Sequence, residues 1–156
     1  MKEHLNKREI IEKLTPVVEN TAMRYGLIPL EISLEKESGH WFLRIFIYHP
    51  EHPVSHEDCV NITRGLGDYL DELIPFKYYL EISSPGVDRK LKSEREYVIF
   101  KGKDVVVKLK TPVNGEYYIE GVLSDYQKGV GLKISSEGDD HTIELSNLAS
   151  ISLRDL

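Results

Sequence analysis

Three histidines, His49, His52 and His56, lie close together in the chain beside Glu51, Glu57 and Asp58. Imidazoles and carboxylates together are the ligands of zinc and related cations. The spacing is irregular, however, and Pro50 and Pro53 interrupt it. Glu57 and Asp58 also have a second explanation, because carboxylates favour the positive end of a helix that begins here. The run reads as a solvated loop entering a helix, with no metal. Ser83 and Ser84 offer hydroxyls for acyl transfer, but no histidine stands near them in sequence. Serine before Pro85-Gly86 is an ordinary turn residue. Cys59 falls on the apolar stripe of a helix and reads as a packed thiol rather than a nucleophile. Gly65-Leu66-Gly67 lacks the third glycine of a phosphate-cradling loop and lies inside a helical pattern. The sequence therefore offers no catalytic constellation and no cofactor loop.

Charge points elsewhere. The chain has 156 residues and a formal net charge of −6, which argues against a chain-wide nucleic-acid binder. The charge is uneven. Residues 1–85 carry nine basic and fourteen acidic side chains, and residues 86–156 carry eleven and twelve. Within 89–110, Arg89, Lys90, Lys92, Arg95, Lys101, Lys103, Lys108 and Lys110 face only Glu94, Glu96 and Asp104. Lys108 and Lys110 alternate with Val107 and Leu109, so both point to one face of a strand. A solvated face and a contact to RNA phosphate are both open for this basic neck, whose candidate contacts are Lys90, Lys92, Lys101, Lys103, Lys108 and Lys110.

The composition, 40% hydrophobic and 29% charged, suits one globular domain or two small ones. No apolar run approaches the roughly 18 residues of a membrane span. The N-terminus mixes charges of both signs, unlike a secretory leader, and the expected location is cytoplasmic. The single cysteine rules out an internal disulfide and a thiolate-rich zinc site.

Residues 3–25 carry one apolar stripe at helical spacing, from Leu5 through Ile10, Leu14 and Val18 to Tyr25. Pro16 lies inside it, so the helix either kinks there or restarts with Thr15 as cap. Gly26 suits the left-handed residue that ends it. Leu30–Glu35 and Trp41–Tyr48 read as strands around a Ser38-Gly39 loop. Ser55 and Asp58 form a relative of the capping box before a helix over 55–73, in which Gly65 and Gly67 could admit a close neighbour. Tyr78–Ser83 alternates as a strand, and Ser84-Pro85-Gly86-Val87 has the composition of a type II turn with glycine at positive φ. Asp88 and Arg89 follow. This order gives an N-terminal α-β-β-α-β sandwich in an α+β domain over 1–86. From 87 to 156 a short helix headed by the capping box Ser93–Glu96 precedes five short strands, separated at 112–115, 127–129 and 138–140. Ser146–Ala149 is the expected 3₁₀ bridge before the last strand. Closing into a small Sm- or SH3-like β-barrel would solve both the core and the edge problem.

The run Leu80-Glu81-Ile82-Ser83-Ser84-Pro85-Gly86-Val87-Asp88-Arg89, followed by Leu91, resembles the signature of the bacterial ribosome maturation factor RimP family. Asp58-Cys59, Leu70-Asp71 and Phe100-Lys101-Gly102 are similar to its flanking features. The sequence departs at Lys90, where the family often has proline, and at Tyr48-His49. The resemblance implies a KH-like N-terminal domain and an Sm-like C-terminal one. It also implies a monomeric, non-enzymatic factor, without cofactors or a membrane role, that binds the immature small ribosomal subunit through ribosomal RNA and small-subunit protein twelve. An Sm- or KH-type regulator of small RNAs is the alternative. Ser83, Ser84, Pro85, Gly86, Asp88 and Arg89 are then the joint or partner-binding residues, with Asp88 and Arg89 open between the two roles.

Overall fold

A computed structural model describes residues 6–86 and 88–154. The chain divides into two compact units, one ending at Pro85 and one beginning at Gly86.

In the first unit, helix α1 (Lys7–Met23) is continuous through Pro16. Asn6 caps it by accepting from the Glu9 N–H at 2.9 Å. Thr15, expected as a possible second cap, instead donates its hydroxyl to the Ile11 carbonyl at 2.7 Å. That carbonyl lies one turn back, so the helix runs on. Gly26 takes φ +70°, and the Leu27 N–H reaches back to the Ala22 carbonyl at 3.0 Å. This closes the helix as the glycine predicts. Strands β1 (Ile28–Glu37) and β2 (His40–Tyr48) pair antiparallel through Ser38 and Gly39, both at positive φ. That is the geometry of a two-residue hairpin turn. Helix α2 (His56–Leu73) carries the full reciprocal cap, Ser55 to the Asp58 N–H and Asp58 to the Ser55 N–H. Strand β3 (Tyr78–Ser83) then pairs parallel to β2, giving the sheet order β1-β2-β3.

One face of this sheet is dry. Leu34, Leu43, Ile45 and Ile47 are fully buried against Ile10, Leu14 and Val18 of α1 and Ile62, Leu66 and Leu70 of α2. Each such side chain contributes roughly 1.5–3 kcal/mol by leaving water. Among the described residues, no helix of this unit covers the other face.

In the second unit, α3 (Glu94–Ile99) precedes β4 (Asp104–Val113), β5 (Glu116–Gln127), β6 (Gly131–Ser136) and β7 (Asp139–Ile143). A 3₁₀ turn (Leu145–Asn147) then leads to β8 (Leu148–Leu153). The five strands form one antiparallel sheet in the order β7-β6-β5-β4-β8. Its core holds Phe100, Val105, Val107, Leu123, Leu132 and Ile134, with Leu153 beside them. Asp139 and Asp140, expected in a turn, belong to β7. The turn is made by Glu137 and Gly138, both at positive φ, which frees the aspartates to start the strand. Gly131 has φ +129° and lies so close to the Ile143 carbonyl that no side chain fits.

The two glycines of α2 differ. A Cβ at Gly65 would sit 2.6 Å from the Thr21 methyl of α1, so glycine there sets how closely the helices pack; a Cβ at Gly67 would meet nothing within 4 Å. Gly65→Ala should therefore lower stability by roughly 1–3 kcal/mol despite alanine's better helix propensity. Gly67→Ala should raise it by up to about 1 kcal/mol. Urea unfolding of both variants reads the difference, and equal midpoints would show that the contact yields freely.

Candidate nucleic-acid interface

Strand β4 alternates cleanly: Val105, Val107 and Leu109 are buried, while Lys108 and Lys110 are exposed. Pairing carries this alternation across the sheet. Lys108 lies opposite Tyr118 of β5 on one side and Ser150 of β8 on the other. One row away, Val106 lies between Glu120 and Ser152, and Ser152 is bridged in turn to Lys90. Lys90 and Lys108 thus share one outer face, separated by the short side chains of Ser150 and Ser152. Lys110 continues that face beyond Lys108. Tyr118 donates its hydroxyl to Glu120 at 2.6 Å, and Arg154 Nη1 stands 3.3 Å from the same carboxylate. The hydrogen bond to Glu120 is the first cause raising the Tyr118 phenol above its ordinary range. Exposed lysines beside an exposed tyrosine on a sheet can meet phosphates with the cations and a base with the ring.

The other lysines lie elsewhere. Lys101 Nζ is 3.4 Å from Asp125. That carboxyl is held below its usual value, first by the Tyr126 backbone N–H and then by Lys101. Lys103 precedes β4, and its backbone is tied to Phe100 and Leu123. Lys92 gives its backbone N–H to Glu96 at 3.1 Å. The six candidate lysines therefore divide into Lys90, Lys108 and Lys110 on one face, Lys101 and Lys103 at the start of β4, and Lys92 before α3.

The segment after the first unit is built into the second. The Leu91 N–H donates to the Ile151 carbonyl and the Leu153 N–H to the Arg89 carbonyl, both at 2.8 Å, so residues 89–91 lie along the outer edge of β8. Arg89 turns inward. Its Nε is 2.8 Å and its Nη2 2.7 Å from Glu96 Oε1, and the two side chains are only 7% and 4% exposed. Such a pair is sheltered from water. Glu96, read from sequence only as the far end of a capping box, also holds this arginine. Ser93 accepts from the Glu96 N–H at 3.3 Å, as the cap requires.

The expected type II turn is not formed. Gly86 does not take the positive φ that such a turn needs at its third position. Instead the closing hydrogen bond comes later, from the Arg89 N–H to the Gly86 carbonyl at 3.1 Å. From Arg89 the chain leads straight onto the β8 edge. Val87 lies outside the described residues. Ser83 ends β3, Ser84, Gly86 and Asp88 are exposed, and Pro85 is buried.

Residues 17–88 match the family model of the RimP N-terminal domain. That match, over a little under half of the chain, is to a domain of the RimP family. Its members are ribosome maturation factors, and the match takes in β1, β2, α2, β3 and the chain up to Asp88. Within this RimP domain, the groups considered for chemistry are placed as packing and loop residues. The His49 and His52 rings stack at 3.6 Å, and the His49 Nδ1 accepts from the Glu51 N–H at 3.1 Å. Among the described residues no three metal-ligating side chains gather. Cys59 is partly buried, with its Sγ 3.6 Å from the Ile82 carbonyl, and burial pushes its thiol up. Neither Tyr118 nor Arg154 was singled out from sequence. The only signal for them was register, which pairing of the strands supplies.

The Arg89–Glu96 pair gives a direct test. Arg89→Met should lower stability by roughly 3–5 kcal/mol, because Glu96 is left buried without its cation. Combining it with Glu96→Leu should recover much of that loss. Denaturant unfolding of the single and double variants measures both. Additive losses would show that the two charges are not coupled.

Proposed function

We propose that this chain is a non-enzymatic assembly factor that binds the immature small ribosomal subunit and promotes its maturation. The observation that carries this reading is the RimP N-terminal domain match over residues 17–88. The outer face of the second unit supports a contact to ribosomal RNA, because Lys90, Lys108 and Lys110 line up there beside Tyr118. The first unit, with its excess of acidic side chains, suits a basic ribosomal protein, and small-subunit protein twelve is the partner that the resemblance implies. The factor acts as a monomer in the cytoplasm. Among the described residues no helix is long and apolar enough to cross a membrane.

Phosphate contacts release counterions, so the association should weaken steeply as salt rises. Immobilised protein should recover free small subunits from a low-salt lysate in preference to joined ribosomes. Reversing Lys90, Lys108 and Lys110 together to glutamate should abolish most of that recovery. Each single change should reduce the slope of log affinity against log salt by about 1. All three lysines are exposed, so thermal stability should be unchanged. Equal recovery of joined ribosomes, or a salt slope unaffected by the triple change, would count against this reading. A large ring-forming species with high affinity for naked RNA would favour a small-RNA regulator instead.

A further inference from the structure

Sheet edges expose N–H and C=O groups that invite another strand, and proteins blunt them with proline, bulges, charge or a covering segment. Among the described residues, three of the four sheet edges are treated in this way. The β1 edge has Pro29 within the strand, an irregularity between Pro29 and Glu31, and Glu31, Glu35, Lys36 and Glu37 along it. The β8 edge is covered by residues 89–91, and β7 opens with Asp139 and Asp140. Strand β3 differs. Its sequence Tyr78-Tyr79-Leu80-Glu81-Ile82-Ser83 has no proline and one charge, its pairing with β2 runs without a bulge, and among the described residues no strand pairs with its outer side.

Both sides of that edge are furnished. On the helix-free face, Phe42 and Tyr79 are register partners and stack at 5.6 Å, and His40 meets Tyr79 edge-on at 5.6 Å. The Arg44 guanidinium lies 4.9 Å from the Phe42 ring centre and is clamped by Glu37 at 2.7 Å and Glu81 at 2.6 Å. This face therefore already holds one guanidinium between a ring and carboxylates. Tyr79 remains 42% exposed. The face carries Glu31, Glu35, Glu37 and Glu81 against Arg44, against Lys77, which lies 5.5 Å from the Tyr79 ring centre, and against Lys7, which pairs with Glu35 at 2.8 Å; the balance stays on the negative side and favours a cationic partner over phosphate. On the helix side, an open groove of about 830 Å³ runs beside β3, lined by Leu73, Phe76, Tyr78 and Leu80, with Asp71 and Glu72 balanced by Lys13 and Lys77.

We propose that the β3 edge is a docking site for an extended, arginine-bearing segment of a basic protein, which adds to the sheet as a fourth strand. Its backbone satisfies the open edge. Alternate side chains then fall on opposite faces. Arginines lie over Tyr79 and pair with Glu81, and apolar residues between them enter the groove beside Leu73 and Leu80. This deepens the protein-binding half of the function proposed above, and rests on it only for the source of the segment. The edge chemistry itself does not depend on the ribosome.

The test uses the full chain and a decapeptide of alternating arginine and valine. The peptide should protect backbone amides within 78–83 from hydrogen exchange and shift the amide signals of 40–44. The same peptide methylated at alternate backbone nitrogens cannot form the ladder and should lose binding. Tyr79→Ala should weaken the normal peptide by roughly three- to thirtyfold, whereas Tyr79→Phe, which keeps the ring, should not. Undiminished binding of the methylated peptide would overturn strand addition. Tighter binding of decauridine at the same amides would assign the face to RNA, and concentration-dependent dimerisation that protects 78–83 would assign the edge to a second copy; either overturns the proposal. Peptide binding in a chain that recovers no small subunits would uphold the docking site while removing the ribosomal reading.

Discussion

Every strand carries peptide groups on two sides, and a buried or half-buried one must find partners for both. With two sheets, this chain has four edges to settle, and much of its construction answers that demand. In the first unit the loop after α2 brings β3 in parallel to β2, which makes β3 an end strand. In the second, the neck that precedes α3 lies along β8, the strand that ends the chain's sheet order. The Arg89–Glu96 pair locks that neck. It holds residues 89–91 against β8 through a contact made between the segment itself and the following helix. The inward turn of Arg89 follows from this, and it removes from the surface the residue that sequence alone left open as a partner contact.

Local signals with their own hydrogen bonds were legible in the sequence. The Ser55–Asp58 cap, the Gly26 helix end and the Ser38-Gly39 hairpin each need only neighbours a few residues away, and all three formed. The helix-strand-strand-helix-strand order followed from periodicity for the same reason. Signals that depend on distant partners were less legible. Pro16 could not be resolved between kink and restart, because the outcome depends on packing along the whole of α1. The turn after Ser84 has the composition of a type II turn, yet the closing hydrogen bond joins Arg89 to Gly86. The hydrogen bonds of residues 89–91 to the β8 edge, some sixty residues away in sequence, outweigh a turn preference of about 1 kcal/mol.

The candidate site shows the same division. Parity along β4 placed Lys108 and Lys110 on one face without any structure. That Lys90 belongs with them, and that Lys101 is tied to Asp125 instead, depends on register between strands far apart in the chain. Register also explains why Tyr118 and Arg154 went unnoticed: neither stands within a basic run. A cluster read along the sequence is one-dimensional, whereas a sheet arranges its residues in rows across strands, so the lysines nearest in number need not be nearest in space.

The run Leu80–Arg89, which carries the family resemblance, now divides by physical role. Leu80 to Ser83 belongs to the end strand of the first sheet, among the described residues the one edge without proline, bulge or dense charge. Arg89 begins the segment that covers an end strand of the second. Between them, Pro85 is buried and Gly86 is exposed at an unstrained φ. One short stretch thus leaves an edge open and closes another. A strand kept free of the usual protections incurs an aggregation hazard, and the chain avoids that hazard at its other edges by different means. The exception therefore bears on function: an edge flanked by stacked rings on one side and an apolar groove on the other has the form of a surface meant to be completed by a partner.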